Sequence, residues 1–201
     1  MTQAVTLREV KWRVALVCSV VNGAAAILLA TVLAPGVSLA PAASNATYVA
    51  EHLNLWRVGW AVWIAAALSL LAFFWWWGAR IGWPAIARVA VAVAGVGVVA
   101  DVVAETQLIA WAPGRPFDIG GPLRLSGIVA NGLYSAAGAL LTLRTNALPG
   151  WLRTWSWAIW LLGIALAIAA AMSSDAASEV VTAVLFALFV PWLVVFGRRI
   201  A

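Results

Sequence analysis

Charge is scarce in this sequence. Acidic and basic residues together make up 9% of its 201 residues, against roughly 25% in a soluble domain. Hydrophobic residues make up 65%, more apolar surface than a soluble fold of this length can hide. The solvent must therefore be lipid. Cysteine occurs once, as Cys18, which excludes an internal disulfide and a thiolate metal centre. Cys18 lies inside an apolar run, where a thiol serves as a small packing group. Histidine also occurs once, as His52, so a two-histidine haem or zinc site cannot form within one chain. Phosphate-binding loops, nucleophile motifs and metal-ligand spacings are missing as well. No metal and no cofactor is expected.

Lysine is nearly absent: Lys11 is the only one among twelve basic residues. Arginine in its place, with abundant Ala and Val, is the composition of a high-GC bacterial gene and points to a bacterial cytoplasmic (inner) membrane. The net charge of +5 does not indicate a nucleic-acid partner. The basic residues stand singly or in short groups beside apolar runs, and none forms a stripe that could follow a phosphate backbone.

What the sequence does have is long apolar runs. A helix crosses a bilayer with about 20 mostly apolar residues, and six segments qualify: about 12–33, 55–77, 85–110, 123–143, 152–172 and 176–196. The expected fold is an all-α, polytopic six-transmembrane-helix bundle forming a single membrane domain over 1–201. Punctuation agrees with these bounds. Pro35 and Gly36 are expected to end the first run, Gly82-Trp83-Pro84 to make a tight turn, Pro113 to Pro122 to form a loop, and Pro149-Gly150 another turn. Pro191 falls inside the sixth run, which stays apolar to Phe196.

Orientation is set by the positive-inside rule. With both termini cytoplasmic (N-in/C-in), Arg8, Lys11, Arg13, Arg80, Arg88, Arg144, Arg153, Arg198 and Arg199 lie inside. Only Arg57, Arg115 and Arg124 lie outside. The acids Glu51, Asp101, Glu105, Asp118, Asp175 and Glu179 fall on or toward the outer side. The fourteen Trp are expected mostly as interfacial anchors, because an amphipathic indole favours headgroup depth. Trp56, Trp60 and Trp63 share one helix face and are the best candidates for stacking on a ligand. A competing reading treats the first run as a secretory signal with a cleavage site at Ala40-Pro41-Ala42, although its apolar core of about 20 residues exceeds the usual 7–15.

Two short segments and the layout carry a family resemblance. Ala50-Glu51-His52-Leu53-Asn54-Leu55-Trp56-Arg57-Val58-Gly59 enters the second span with a Leu-x-Arg-x-Gly core, and Leu148-Pro149-Gly150-Trp151-Leu152 precedes the fifth. Together with six spans in about 200 residues, these resemble a bacterial six-helix integral membrane family of unknown function. The resemblance implies the fold. It implies no activity and no site residues.

Asp101 is the most informative residue. At about 1.5 Å per residue from Arg88 it lies about 20 Å into a hydrocarbon core of about 30 Å. A carboxylate there costs about 2.5–3.5 kcal/mol or more if it faces lipid. Ala90, Ala94, Gly97, Asp101 and Glu105 share one face, and small residues admit a neighbouring helix, so Asp101 is expected to point inward. Gly127, Asn131, Tyr134, Ser135 and Gly138 form a matching face on the fourth span, and Ala15, Ser19, Asn22 and Ala26 another on the first. Two readings are open. In one, Asp101 bonds to Asn131 or Tyr134 and only holds the helices together. In the other, Asp101 and Glu105, with Asn131, Tyr134 and Asn22, line an outward-opening pocket beneath the 111–122 loop, with Trp56 and Trp60 as its aromatic wall.

Three functions fit. The first is binding of a small apolar or amphipathic molecule in that pocket, for transport or sensing. The second is an enzyme in which Asp101 or Glu105 is the catalytic acid or base on a lipid-like or isoprenoid substrate. The third is a non-catalytic subunit of a homo- or hetero-oligomer joined through small-residue helix faces, for which Gly163, Ala167 and Ala171 provide a stripe.

Overall fold

The computed structural model describes residues 12–37, 42–116 and 119–200. Arg8, Glu9, Lys11, most of the candidate cleavage site and Asp118 lie outside these residues, as does the side chain of Asp175.

Seven helices make up the described chain: α1 (Arg13–Val37), α2 (Ala42–Glu51), α3 (Leu53–Arg80), α4 (Ala85–Ala110), α5 (Gly120–Arg144), α6 (Gly150–Ala171) and α7 (Asp175–Ile200). All but α2 are long and apolar enough to cross a membrane. No strand occurs among the described residues. The six spans succeed one another up and down. Each packs against its sequence neighbour among the spans, and α7 returns to pack against α1, which closes the ring. The end carrying the 81–84 turn is called inner, and the opposite end outer, after the positive-inside expectation.

Local chemistry explains most of the boundaries. Gly82 and Trp83 both adopt positive φ, 80° and 52°, and Pro84 then supplies the fixed φ that starts α4. Glycine takes such a φ freely, whereas tryptophan does so only under compensation. The Trp83 ring is held at its edge by Trp75, at a centroid distance of 4.7 Å, and lies over Gly78, where a Cβ would stand 3.0 Å from it. Pro149 opens α6 in the same way as Pro84 opens α4.

Three boundaries differ from the sequence expectation. Pro35 and Gly36 do not end the first span. α1 passes through a π-helical turn at Leu29–Leu33 and continues to Val37. A π turn has already displaced the regular hydrogen bonds, so a proline at its end breaks fewer of them. The stretch before the second span contains a helix, α2, whose Tyr48 hydroxyl donates to the Val32 carbonyl at 2.8 Å and pins it to α1. The fourth span starts at Gly120, inside the expected loop, and accommodates Pro122 in its first turn.

The interior divides into two apolar clusters. The inner one centres on aromatic rings: Phe73, Phe74, Trp77, Trp160, Trp192 and Phe196 meet at centroid distances such as 4.3 Å (Trp77 to Phe196) and 5.4 Å (Trp160 to Trp192). The outer one contains Leu33, Val49, Trp56, Trp60 and Leu108. Five of the fourteen tryptophans belong to this interior, apart from the interfacial role expected of most of them. Among the described residues only Trp75 and Trp151 are exposed, whereas Trp56, Trp60, Trp77, Trp160 and Trp192 are buried. Interior indoles need acceptors, and hydroxyls on neighbouring elements supply them. Trp77 Nε1 donates to Thr145 Oγ1 at 2.8 Å, Trp160 Nε1 to Thr142 Oγ1 at 2.9 Å, and Trp192 Nε1 to Ser156 Oγ at 3.0 Å.

The Gly163 stripe on α6 faces inward as well. A Cβ on Gly163 would collide with Ser135 Oγ of α5, and Ala167 and Ala170 lie against Gly132 and Gly127. Small residues here bring α5 and α6 together within one chain.

Candidate functional site

The candidate site begins with the small face of α4. Ala90, Ala94, Gly97, Asp101, Ala104 and Glu105 are all buried, while Val89, Val96 and Val103 are exposed on the other side. Asp101 therefore points into the bundle. On this face the inner cluster ends at Ala100 and the outer one begins at Leu108. Asp101 and Glu105 occupy the seam between them.

Both carboxylate oxygens of Asp101 have partners on α5. Tyr134 Oη donates to Oδ2 at 2.8 Å, and Ser126 Oγ donates to Oδ1 at 2.5 Å. Gly97 makes the first bond attainable. A Cβ at that position would stand 2.9 Å from Tyr134 Cε1, so only glycine lets the ring lie flat across α4 and reach the next turn. Helical side chains lean toward the N-terminus of their own helix. The Tyr134 hydroxyl therefore extends back toward Ser126, two turns earlier, and the carboxylate fits between them.

Ser126 belongs to a second π-helical stretch, Leu125–Ala130. The Asn131 side chain serves this stretch and not Asp101: its Nδ2 donates to the carbonyls of Gly127 at 3.3 Å and Ser126 at 3.4 Å. The expected Asp101 partner is thus Tyr134, with Ser126 beside it, and Asn131 stands one step removed through Ser126. Ser126 itself has no place on the regular stripe of Gly127, Asn131, Tyr134 and Gly138. A four-residue stripe of Ser126, Ala130 and Tyr134 was the signal available for it.

Glu105 stands in contrast to Asp101. One turn away on the same face, it is fully buried (0% exposed), and neither carboxyl oxygen has a hydrogen-bond partner among the described residues. Buried polar groups are nearly always paired, so each exception calls for an explanation.

The remaining candidates are spread over two other places. Asn22 lies between α1 and α3, where Nδ2 donates to the Cys18 carbonyl at 2.9 Å and to Ser69 Oγ at 3.2 Å. It does not join Asp101. Trp56 and Trp60 stand on α3 facing the outer part of α4. Trp56 Nε1 donates to the Leu108 carbonyl at 2.9 Å, and the adjacent Arg57 Nε to the Ile109 carbonyl at 3.2 Å. Trp60 packs edge-on against Trp56 and Trp63, with centroids 5.5 Å and 6.2 Å away. Its indole N–H is buried without an acceptor.

Beneath the segment after α4 lies a partly open cleft of about 360 Å³, lined by Gln107, Leu108, Ala110, Trp111, Arg115, Pro116 and Ile119. This is the position expected for an outward pocket, but its walls differ from the expected ones: Asp101, Glu105, Asn131 and Tyr134 are not among them. Leu108, one turn outward from Glu105, forms part of the wall. Among the described residues no group of three His, Cys, Asp or Glu side chains is arranged to hold a metal ion.

The fold and its burial pattern define a class: a multi-pass α-helical membrane protein with the lipid bilayer as its solvent. No protein-family model, curated protein or solved structure matches the chain.

Proposed function

We propose that this protein binds a small apolar or amphipathic molecule from the outer side of the membrane, in the cleft lined by the end of α4 with Trp111, Arg115, Pro116 and Ile119. The observation that carries this reading is Glu105, a fully buried carboxyl group with no partner, one helical turn inward from an outward cleft. The cleft has the character of a ligand site. Leu108, Trp111, Pro116 and Ile119 form an apolar lining, and Gln107 and Arg115 add a few polar groups at the rim. Asp101 has a supporting part here. With both oxygens engaged it ties α4 to α5 and leaves Glu105 as the free acceptor.

Site-directed labelling tests the reading. Cys18 is buried, so wild type should react little with a maleimide, and Gln107→Cys places one exposed thiol on the rim of the cleft. In lipid nanodiscs, at least one of dodecanol, dodecylamine or dodecanoate is expected to slow labelling of this thiol saturably, by threefold or more (about 0.7 kcal/mol of occupancy). An unchanged labelling rate with all three would refute binding in the cleft.

A further inference from the structure

The structure assigns a chemical class to the ligand's polar end, on the basis of the binding reading above. We propose that Trp60 and Glu105 together receive the hydroxyl group of an otherwise apolar molecule. Helix register places the two residues at one depth on packed helices. α3 and α4 run antiparallel, and two bonds fix their alignment: Trp56 Nε1 to the Leu108 carbonyl, and Arg57 Nε to the Ile109 carbonyl. One turn further inward on each helix brings Trp60 level with Glu105. Both are buried, at 3% and 0% exposure, and neither has a hydrogen-bond partner among the described residues.

These two groups are exceptions to a rule that the described residues otherwise keep. Of their five buried indoles, Trp56, Trp77, Trp160 and Trp192 all donate to an acceptor, and Trp60 alone does not. Of their two buried carboxyl groups, Asp101 has donors on both oxygens and Glu105 has none. An unsatisfied donor and an unsatisfied acceptor therefore sit at the same depth on facing helices, in the seam between two apolar clusters.

Their chemistry selects what fits. An indole N–H only donates, and a carboxyl group, ionised or not, keeps an oxygen that accepts. A hydroxyl does both: its oxygen accepts from Trp60 and its hydrogen is donated to Glu105. An ammonium offers nothing for Trp60 to bond. A hydrocarbon leaves both groups unpaired. Apolar walls on either side suit a long aliphatic or isoprenoid chain, which can pass Leu108 into the cleft.

Equilibrium binding of tritiated dodecanol to the protein in nanodiscs, corrected for empty discs, tests the assignment. Unlabelled dodecanol is expected to displace it at least tenfold more effectively than dodecylamine or dodecane. Trp60→Phe keeps the ring and removes the donor, and should weaken dodecanol binding about three- to tenfold. Glu105→Leu should weaken it at least as much, with dodecane binding unchanged in both variants. Equal displacement by alcohol and amine would overturn the hydroxyl assignment and leave binding in the cleft standing. So would wild-type dodecanol affinity in folded Trp60→Phe. If no amphiphile protects the rim thiol or binds saturably, the binding reading itself fails, and the assignment with it.

Discussion

Asp101→Leu is expected to lower the unfolding free energy of the protein by about 2–4 kcal/mol, because it strands two hydroxyl donors at once. Tyr134 is buried, and its hydroxyl and that of Ser126 both point at the carboxylate. Leucine offers neither of them an acceptor, and within a bilayer no water replaces what is lost. Asp101→Asn should stay within about 1 kcal/mol of wild type, because its carbonyl still accepts one bond, and its amide can donate to the other hydroxyl after that hydroxyl rotates. Denaturant-induced unfolding in detergent micelles, monitored by tryptophan fluorescence, measures the difference. A leucine variant as stable as wild type would show that Asp101 does not hold α4 to α5.

The second large effect concerns Gly138. A Cβ at this position would lie 2.5 Å from Trp160 Cε2 and Cζ2, and the indole has nowhere to go. Its Nε1 is bonded to Thr142 Oγ1, and its ring is boxed in by Phe74, Trp77, Phe189 and Trp192. Gly138→Ala should therefore cost about 2–3 kcal/mol through overpacking, even though alanine is the better helix former. Gly95 is the matched control. Nothing stands within 4 Å of a Cβ there, so Gly95→Ala should be neutral or stabilising by up to about 1 kcal/mol. The same unfolding assay compares the two. A harmless Gly138→Ala would mean that the aromatic cluster is looser than its ring contacts indicate.

The six spans are legible in the sequence because hydropathy and length alone decide whether a segment can cross a bilayer. The inward direction of Asp101 is legible for a related reason: a stripe of Ala90, Ala94 and Gly97 marks a helix contact, and a costly carboxyl on that stripe must go inside with it. Tyr134 as its partner could be read from the small and polar face of α5. Ser126 could not be read from regular periodicity. A π turn inserts an extra residue into the helical repeat, so a strict 3.6-residue count misplaces the residues before Asn131 relative to those after it. The division of the tryptophans was hidden for another reason. In a membrane protein both the interface and the interior accept an indole, and apolarity does not distinguish them. The hydroxyls of Thr142, Thr145 and Ser156, placed where buried indoles find them, were the usable signal. The lack of a partner for Glu105 was beyond reach of the sequence, since it depends on which side chains its neighbours have already engaged.

Asp101 and Glu105 are one turn apart on one face of α4, yet the proposed function gives them opposite roles: the first ties α4 to α5, and the second is left for a ligand. The most direct test is to measure unfolding and dodecanol binding on the same preparation of Glu105→Leu. Removing a buried carboxyl that bonds to nothing should leave stability unchanged or raise it, as happens where a site keeps a group for function at the expense of stability. Dodecanol binding should weaken at least three- to tenfold in the same sample. A fall in stability comparable to that of Asp101→Leu, with dodecanol binding intact, would contradict these roles and make Glu105 a second structural tie.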